Sequence, residues 1–206
     1  MPLIFKEVKG NHSVACWRHT EDISFFEEKI PYRSHASHPE RIRQQLSSRM
    51  SIFSLDPSFP FDSVVIPEQG KPFLESGVPD FSLTHTNFIS GAILSTTHVV
   101  GIDLERISER ILKVESRFLH TEERSLLHDA GNDRVSRLTL LWSVKETVFK
   151  CFGKSAVDFS SDIRIVALAD DLSEASIIFQ PLNNTVHRVI CHRIDDHWLT
   201  YLVCQK

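Results

Sequence analysis

Glycine is scarce in this chain, with seven among 206 residues. No GxGxxG and no GxxxxGK(S/T) occurs, so a phosphate-bearing ligand finds no glycine-rich cradle and must be held by Lys, Arg, His or a metal. Cysteine is sparse too. Cys16, Cys151, Cys191 and Cys204 lie far apart with no CxxC, which argues against a zinc site or a disulfide framework and reads as reduced, buried thiols in a cytoplasmic protein. No apolar run approaches a membrane span, and the opening MPLIFKEVKGN turns polar after five residues, which predicts no secretory signal. Positive charge is not in excess. At a net charge of −4 no global field favours nucleic acid, so any anion site must be built locally. Neither nucleic acid nor membrane is an expected partner.

What is present suits a globular protein. Hydrophobic residues make up 41% and charged residues 24%, enough for a real core in one domain or two small lobes. Strands are predicted at HSVACW, FDSVVI, FSLTH, ISGAILS and HVVGIDLERI, with Thr96-Thr97 as a hairpin turn between the last two. Helices are predicted at TEDISFFEEKI and at SHPERIRQQLSSRMSIFSL, the latter capped by Ser37 with Glu40 three residues on. Further helices follow at SERILKVESRFL and TEERSLLHDA, then a long one from about Arg134 to Phe152 capped by Asp133. The tail reads as β: IRIVAL, ASIIF, VHRVICH and WLTYLV, with a turn at Asn183-Asn184. A strand–helix–strand half on each side of residue 100 hints at two similar lobes, without a sequence repeat.

Three segments stand out. In HVVGIDLERI, side-chain alternation puts Asp103 and Glu105 on one face of a strand, where like charges repel unless a cation lies between them. In LLWSVKETVFK, Leu141, Val144, Val148, Cys151 and Phe152 form a buried helical stripe, while Trp142, Lys145, Glu146, Phe149 and Lys150 fall on the adjoining face. In GKPFLESGVPDFSLTH, Lys71 sits in a Gly-Lys-Pro turn and Thr84-His85 end a strand. Each has an ordinary reading on its own: a wet strand face, a solvated i,i+4 ion pair, a turn lysine, a capped core histidine. Their order is what carries information. A Mg²⁺ ion with oxygen ligands would relieve the strand carboxylates.

The succession GKP, FSLTH, GIDLE and WSVKETVFK, with RFLHTEE between the last two, resembles the 4′-phosphopantetheinyl transferases of the longer, monomeric, surfactin-synthetase-activating type. The likeness runs from about Gly70 to Gly153. It implies an α+β fold of two similar lobes about a pseudo-twofold axis, each a small, mainly antiparallel sheet with packed helices. The lobes are expected over 1–97 and 98–206, with coenzyme A in the cleft between them. The implied reaction is attack by a serine of an apo acyl or peptidyl carrier protein on the β-phosphate of coenzyme A, releasing 3′,5′-ADP. By motif position, Asp103, Glu105 and Glu146 would surround Mg²⁺ (Mn²⁺ is the alternative), and Glu146 would also be general base. Lys150 would stabilise the moving phosphate. Lys71, Thr84 and His85 would hold coenzyme A phosphates, His85 facing the 3′-phosphate. Arg41 and Arg49, with Arg43 a lesser choice, would grip the adenosine end.

The chain departs from the pattern in two places: Thr84 stands where Ser is usual, which keeps the hydroxyl, and Ser82 stands where Asn is frequent. Arg106, Arg110, Lys113 and Arg117, spaced four, three and four apart, would form one basic helical stripe for an acidic carrier, beside an apolar stripe of Ile107, Ile111, Val114 and Phe118. The rival readings are a degenerate relative that binds coenzyme A or carrier without transfer, and a Mg²⁺-dependent nuclease. The nuclease lacks an acid-x-lysine pair on the strand after Asp80. A zinc centre from His187, His192 and His197 is disfavoured by five-residue spacing that suits neither a strand face nor a helix turn.

Overall fold

The protein is described by a computed structural model over residues 2–68, 70–128, 131–152, 157–182 and 185–205. The chain opens with β1 (Leu3–Val8) and β2 (Ser13–Arg18), then helices α1 (Ile23–Lys29) and α2 (Pro39–Leu55). A short pair, β3 (Val64–Val65) and β4 (Phe73–Leu74), precedes the hairpin of β5 (Asp80–His85) and β6 (Ile89–Ser95). After β7 (His98–Arg106) come a 3₁₀ segment at Glu109–Lys113, the one-turn α3 (Glu115–Phe118), a 3₁₀ segment at Glu122–Leu127 and the long α4 (Arg134–Phe152). Strands β8 (Ile163–Leu168), β9 (Glu174–Phe179), β10 (Val186–Ile194) and β11 (His197–Gln205) complete the fold.

Apart from the β3-β4 pair, the described strands form two antiparallel sheets, ordered β1-β2-β6-β5 and β7-β11-β10-β9-β8, so the class is α+β. One topological unit occurs twice. A strand, a long helix and a hairpin whose second strand returns beside the first describe both β2-α2-β5-β6 and β7-α4-β10-β11. The equivalent strands pack on each other. Val14 and Cys16 of β2 and Ile89 and Ile93 of β6 meet Val100, Ile102 and Leu104 of β7 and Leu199 and Tyr201 of β11 in one buried cluster. Each such aliphatic side chain contributes about 1.5–3 kcal/mol of burial free energy. The larger core lies on the other face of the second sheet, where Leu141, Val144, Val148 and Cys151 of α4 pack on Ile163, Ile177, Val189 and Leu202.

Several local expectations change. Thr96-Thr97 do not close a hairpin: β6 pairs with β2 and β5, while β7 pairs with β11 in the other sheet. The α2 cap is His38, whose Nδ1 accepts the Glu40 amide at 3.3 Å, rather than Ser37. Pro39 at the first helical position fixes that start. SERILKVESRFL is not one helix. It divides at Val114 into a 3₁₀ segment and a single α-turn, so Arg106, Arg110, Lys113 and Arg117 do not share a helical stripe. Within TEERSLLHDA, Glu122–Leu127 forms a 3₁₀ segment, residues 129–130 lying outside the described ones, and FDSVVI is a 3₁₀ turn followed by the two residues of β3. The strand β1 was not foreseen, and the turn at Asn183-Asn184 lies outside the described residues.

Candidate active site

The site lies where β5 and β7, edge strands of different sheets, run past each other. An edge strand presents amides and carbonyls that need partners. Here side chains supply them. Asp80 Oδ2 accepts the Val100 amide at 2.7 Å, and Ser82 Oγ accepts that of Ile102 at 3.4 Å. Lys71 Nζ donates to the Val100 carbonyl at 2.9 Å and to Asp80 Oδ2 at 2.7 Å. Lys71 thus ties the Gly-Lys-Pro turn to the seam.

Because Val100, Ile102 and Leu104 point into the inter-sheet core, Gly101, Asp103 and Glu105 face α4. Gly101 permits the contact: a Cβ there would stand 2.3 Å from the Thr147 carbonyl oxygen and 2.7 Å from the Cys151 nitrogen. Asp103 is only 3% exposed, which rules out a wet strand face for it. Ser143 donates to its Oδ2 at 2.9 Å, and Thr84 donates to its Oδ1 at 3.4 Å. Lys150 Nζ reaches Oδ1 at 2.5 Å, so the ion-pair partner of Lys150 is Asp103 rather than Glu146. Trp142 Nε1 donates to Glu105 Oε1 at 3.1 Å.

The electrostatics mark a strained collection of like charges. Burial, then the charge of Asp103, pushes Glu105 up to about 7 against the indole hydrogen bond and Lys150. Burial and Asp103 likewise push Glu146 up to about 7, with Lys150 opposing. Burial works against the charge of Lys150, but Asp103, Glu146 and Glu105 together hold its pKa above the ordinary value. Among the described residues, no three His, Cys, Asp or Glu side chains are gathered as a metal cluster. Asp103, Glu105 and Glu146 act on one another electrostatically without forming a three-ligand cluster, and Lys150, Ser143 and Trp142 donate to Asp103 and Glu105. Their chemistry nonetheless fits a hard divalent cation: oxygen donors, desolvated and mutually repelling.

Cations surround the other side. Burial, followed by Lys150, Arg49 and Arg41, pushes His85 below its usual pKa. Arg49 is 8% exposed, lies over the Tyr32 ring at 4.3 Å, and makes no ion pair among the described residues. Burial pulls its pKa down, the mark of a buried cation short of an anion. Arg43 also has a buried Nε without a hydrogen-bond partner among the described residues. Arg41 is exposed on the first turn of α2. Two cavities border the carboxylates and a third lies at Arg49. One of about 250 Å³ is walled by Gly70, Lys71, Ser82, Glu146 and Lys150. One of about 610 Å³ meets His85, Phe88, Glu105, Arg110 and Trp142, and one of about 500 Å³ holds Tyr32, Arg33, His35 and Arg49.

Sequence reasoning misplaced Lys145. It is fully buried, pairs with Glu123 at 2.8 Å, and donates to the carbonyls of Phe118, Phe159 and Ile163 at 2.9, 2.8 and 2.7 Å. Glu123 in turn accepts the amides of His120 and Ile165 at 2.8 and 2.7 Å. The signal was available. Lys145 stands four residues after Leu141 and three before Val148, inside the apolar stripe. The hydroxyl of Ser143 on Asp103 was missed as well, and nothing in its spacing distinguishes it from a solvent-facing serine.

The sequence that builds this arrangement is similar to known sequences. The family model described as 4'-phosphopantetheinyl transferase superfamily matches residues 99–202, which include all of β7 but His98, α4 and most of β11. A curated relative, the 4'-phosphopantetheinyl transferase gsp of Aneurinibacillus migulanus, is 39% identical over 89 residues, amounting to 42% of this chain and 36% of the relative. The chain thus spans little more than a third of the length of the curated relative it matches. The family match covers half of the sequence and the whole carboxylate–lysine patch, and the chain belongs to the 4′-phosphopantetheinyl transferase superfamily.

Proposed function

We propose that this protein moves the 4′-phosphopantetheine arm of coenzyme A onto a serine of an apo acyl or peptidyl carrier protein, releasing 3′,5′-ADP. The observation that carries the reading is the meeting of β7 and α4. Asp103 and Glu105 lie more than forty positions from Glu146 and Lys150, yet Lys150 Nζ lies 2.5 Å from Asp103 Oδ1 and each remaining carboxylate feels the charge of Asp103. The gsp relative, named for this transfer, supports the same reading.

In this reading the lobes are 1–97 and 98–206, and coenzyme A enters the cleft with its phosphates toward Lys71, Thr84 and His85. Arg49, buried and lacking a carboxylate among the described residues, and Arg41, both of which act on the charge of His85, attract the 3′-phosphate end. Mg²⁺ or Mn²⁺ held by Asp103, Glu105 and Glu146 would neutralise charge developing on the departing diphosphate oxygen. Glu146, poised near neutrality, accepts the proton of the incoming serine hydroxyl. Lys150 turns its ammonium from Asp103 to the transferring phosphoryl group. The protein is read as a cytoplasmic monomer.

Mass spectrometry of apo carrier proteins incubated with the protein, coenzyme A and Mg²⁺ tests this. One phosphopantetheine gained on serine, lost with Glu146→Gln, is the expected result. No gain on acyl or peptidyl carriers would overturn it, and cleavage of DNA or RNA instead would point to the nuclease.

A further inference from the structure

We infer that His19, immediately after β2, is a positioning residue for ligand binding: it fixes the distance between His85 on β5 and the cations of α2, and so sets the preference for a ligand bearing a 3′-phosphate. The inference rests on the reading that coenzyme A presents that phosphate to His85, Arg41 and Arg49. The partners of His19 lie on other elements rather than among the reacting carboxylates. Its Nδ1 donates to the Asn87 carbonyl, in the turn between β5 and β6, at 3.2 Å. Its Nε2 lies 2.7 Å from Ser90 Oγ on β6 and 2.8 Å from Ser47 Oγ on α2. The two hydroxyls are 2.7 Å apart, and both serines are fully buried. One imidazole thus joins a helix, a strand and a turn.

The joined elements are those that carry the cations. In the β5–β6 register His85 stands directly opposite Ser90. Opposite residues of an antiparallel pair share a face, so His85 projects to the side that α2 covers. On α2, Ser47 follows Arg43 by one turn and precedes Arg49 by two residues. Arg49 and Arg41 act on the charge of His85, and Arg43 acts on that of His19. Two further contacts hold the same turn. The His19 amide donates to the Phe88 carbonyl at 2.8 Å, and Gln44 Nε2 of α2 donates to Asn87 Oδ1 at 3.1 Å.

The protonation of the ring follows from its partners. A carbonyl oxygen only accepts, so Nδ1 carries the proton and the Nε2 lone pair accepts from one serine hydroxyl, which accepts from the other. Burial pushes the pKa of His19 down to about 4 against the Asn87 carbonyl, and the charges of His85 and Arg43 lower it further. A neutral ring suits this place, because it grips cation-bearing elements on both sides without adding a positive charge between them. Without the ring, the Ser47–Ser90 pair and the exposed Gln44–Asn87 contact carry the spacing. A phosphate held from two elements at once is sensitive to that spacing, since both sets of donors must lie within hydrogen-bond reach together.

Isothermal titration calorimetry of the full chain with coenzyme A and with 3′-dephospho-coenzyme A tests this without any transfer. The parent should bind coenzyme A more tightly. His19→Ala should raise the Kd for coenzyme A about tenfold and that for the dephospho ligand less than about twofold, erasing most of the preference. His19→Gln, which keeps an acceptor toward the two serines, should recover most of it. Ser90→Ala should lower the preference by a smaller factor, and serves as the measure should His19→Ala not fold. A preference undiminished in His19→Ala and Ser90→Ala, equal losses of affinity for both ligands, or a His19→Gln protein no better than His19→Ala would each overturn the role of His19. A parent that binds neither ligand, or both equally, would instead overturn the underlying reading of where the 3′-phosphate sits, and the inference with it.

Discussion

Lys150 Nζ stands 2.5 Å from Asp103 Oδ1, one group on the last turn of α4 and the other on β7. The pair is the local counterion arrangement of a patch whose other two carboxylates are driven toward neutrality. Removing either partner leaves a desolvated charge behind. Lys150→Met should cost about 3 kcal/mol of stability, because Asp103 keeps only hydroxyl donors. Asp103→Asn combined with Lys150→Met should cost less than the sum of the single changes. Urea denaturation of the four proteins checks this, and additive losses would show that the two side chains are not coupled.

Glu105 and Glu146 both titrate near 7 instead of near 4.5, for burial first and Asp103 second. An acid whose pKa is raised by folding binds protons more tightly in the native state, so stability falls as pH climbs from about 4.5 to about 7. Each pKa unit is worth roughly 1.4 kcal/mol. Relative to the parent, Glu146→Gln should therefore gain melting temperature across that window and keep the gain above it. Mg²⁺, by favouring the ionised carboxylates, should raise the parent's melting temperature near pH 7.5 and leave the variant nearly unmoved. Parallel melting curves at every pH would remove the electrostatic account.

Most of the site was legible because its placement follows from periodicity. Alternation along HVVGIDLERI assigns Asp103 and Glu105 to one face, and helical spacing assigns Glu146 and Lys150 to adjacent turns. Which groups would pair was not legible. Lys150 and Glu146 satisfy the i,i+4 rule, but the buried Asp103 wins the ammonium because its charge has less access to water. The split at Val114 was equally hidden. A pattern of apolar residues every three to four positions serves a 3₁₀ turn and a single α-turn as well as one helix, and Ile111 and Phe118 are buried in either case. The seam between β5 and β7 required tertiary knowledge, since side chains of Asp80, Ser82 and Lys71 stand in for a strand.

Lys145 gives the sharpest stability prediction. Its ammonium neutralises Glu123 with both side chains fully buried and also binds three carbonyls. Lys145→Met should destabilise by about 3–5 kcal/mol, since Glu123 and the carbonyls lose their common partner. Lys145→Arg should recover little, because a planar fork does not match three converging oxygens in a closed site. A midpoint within experimental error of the parent in urea for Lys145→Met would contradict the arrangement.

Gly101 is a packing requirement of the site. Alanine there would set a methyl group 2.3 Å from the Thr147 carbonyl and 2.8 Å from Cys151 Cβ, both on the helix bearing Glu146 and Lys150. Helix and strand must separate to admit it, at about 1–3 kcal/mol. Gly101→Ala should lower the melting temperature and weaken the coupling between Lys150 and Asp103 in the same double-mutant cycle. Gly10, where a Cβ meets nothing within 4 Å, is the control position. A Gly101→Ala protein as stable as Gly10→Ala would show that α4 does not rest on β7.

The last prediction concerns carrier recognition and follows from the broken stripe. Arg106 is engaged by Asp196 at 2.6 Å and lies over the Phe88 ring at 4.8 Å, while Arg110 lines the groove of about 610 Å³ that reaches Glu105 and His85. Lys113 and Arg117 follow on separate turns and do not line that groove. If an acidic carrier approaches the reacting centre along the groove, charge complementarity at Arg110 acts on encounter. Arg110→Glu should raise the KM for apo carrier about tenfold, with kcat and the KM for coenzyme A within twofold. Arg117→Glu should change the carrier KM much less. Kinetics of holo-carrier formation at two ionic strengths decide it, because salt should narrow the Arg110 effect; equal effects from both substitutions would return the docking surface to the whole basic segment.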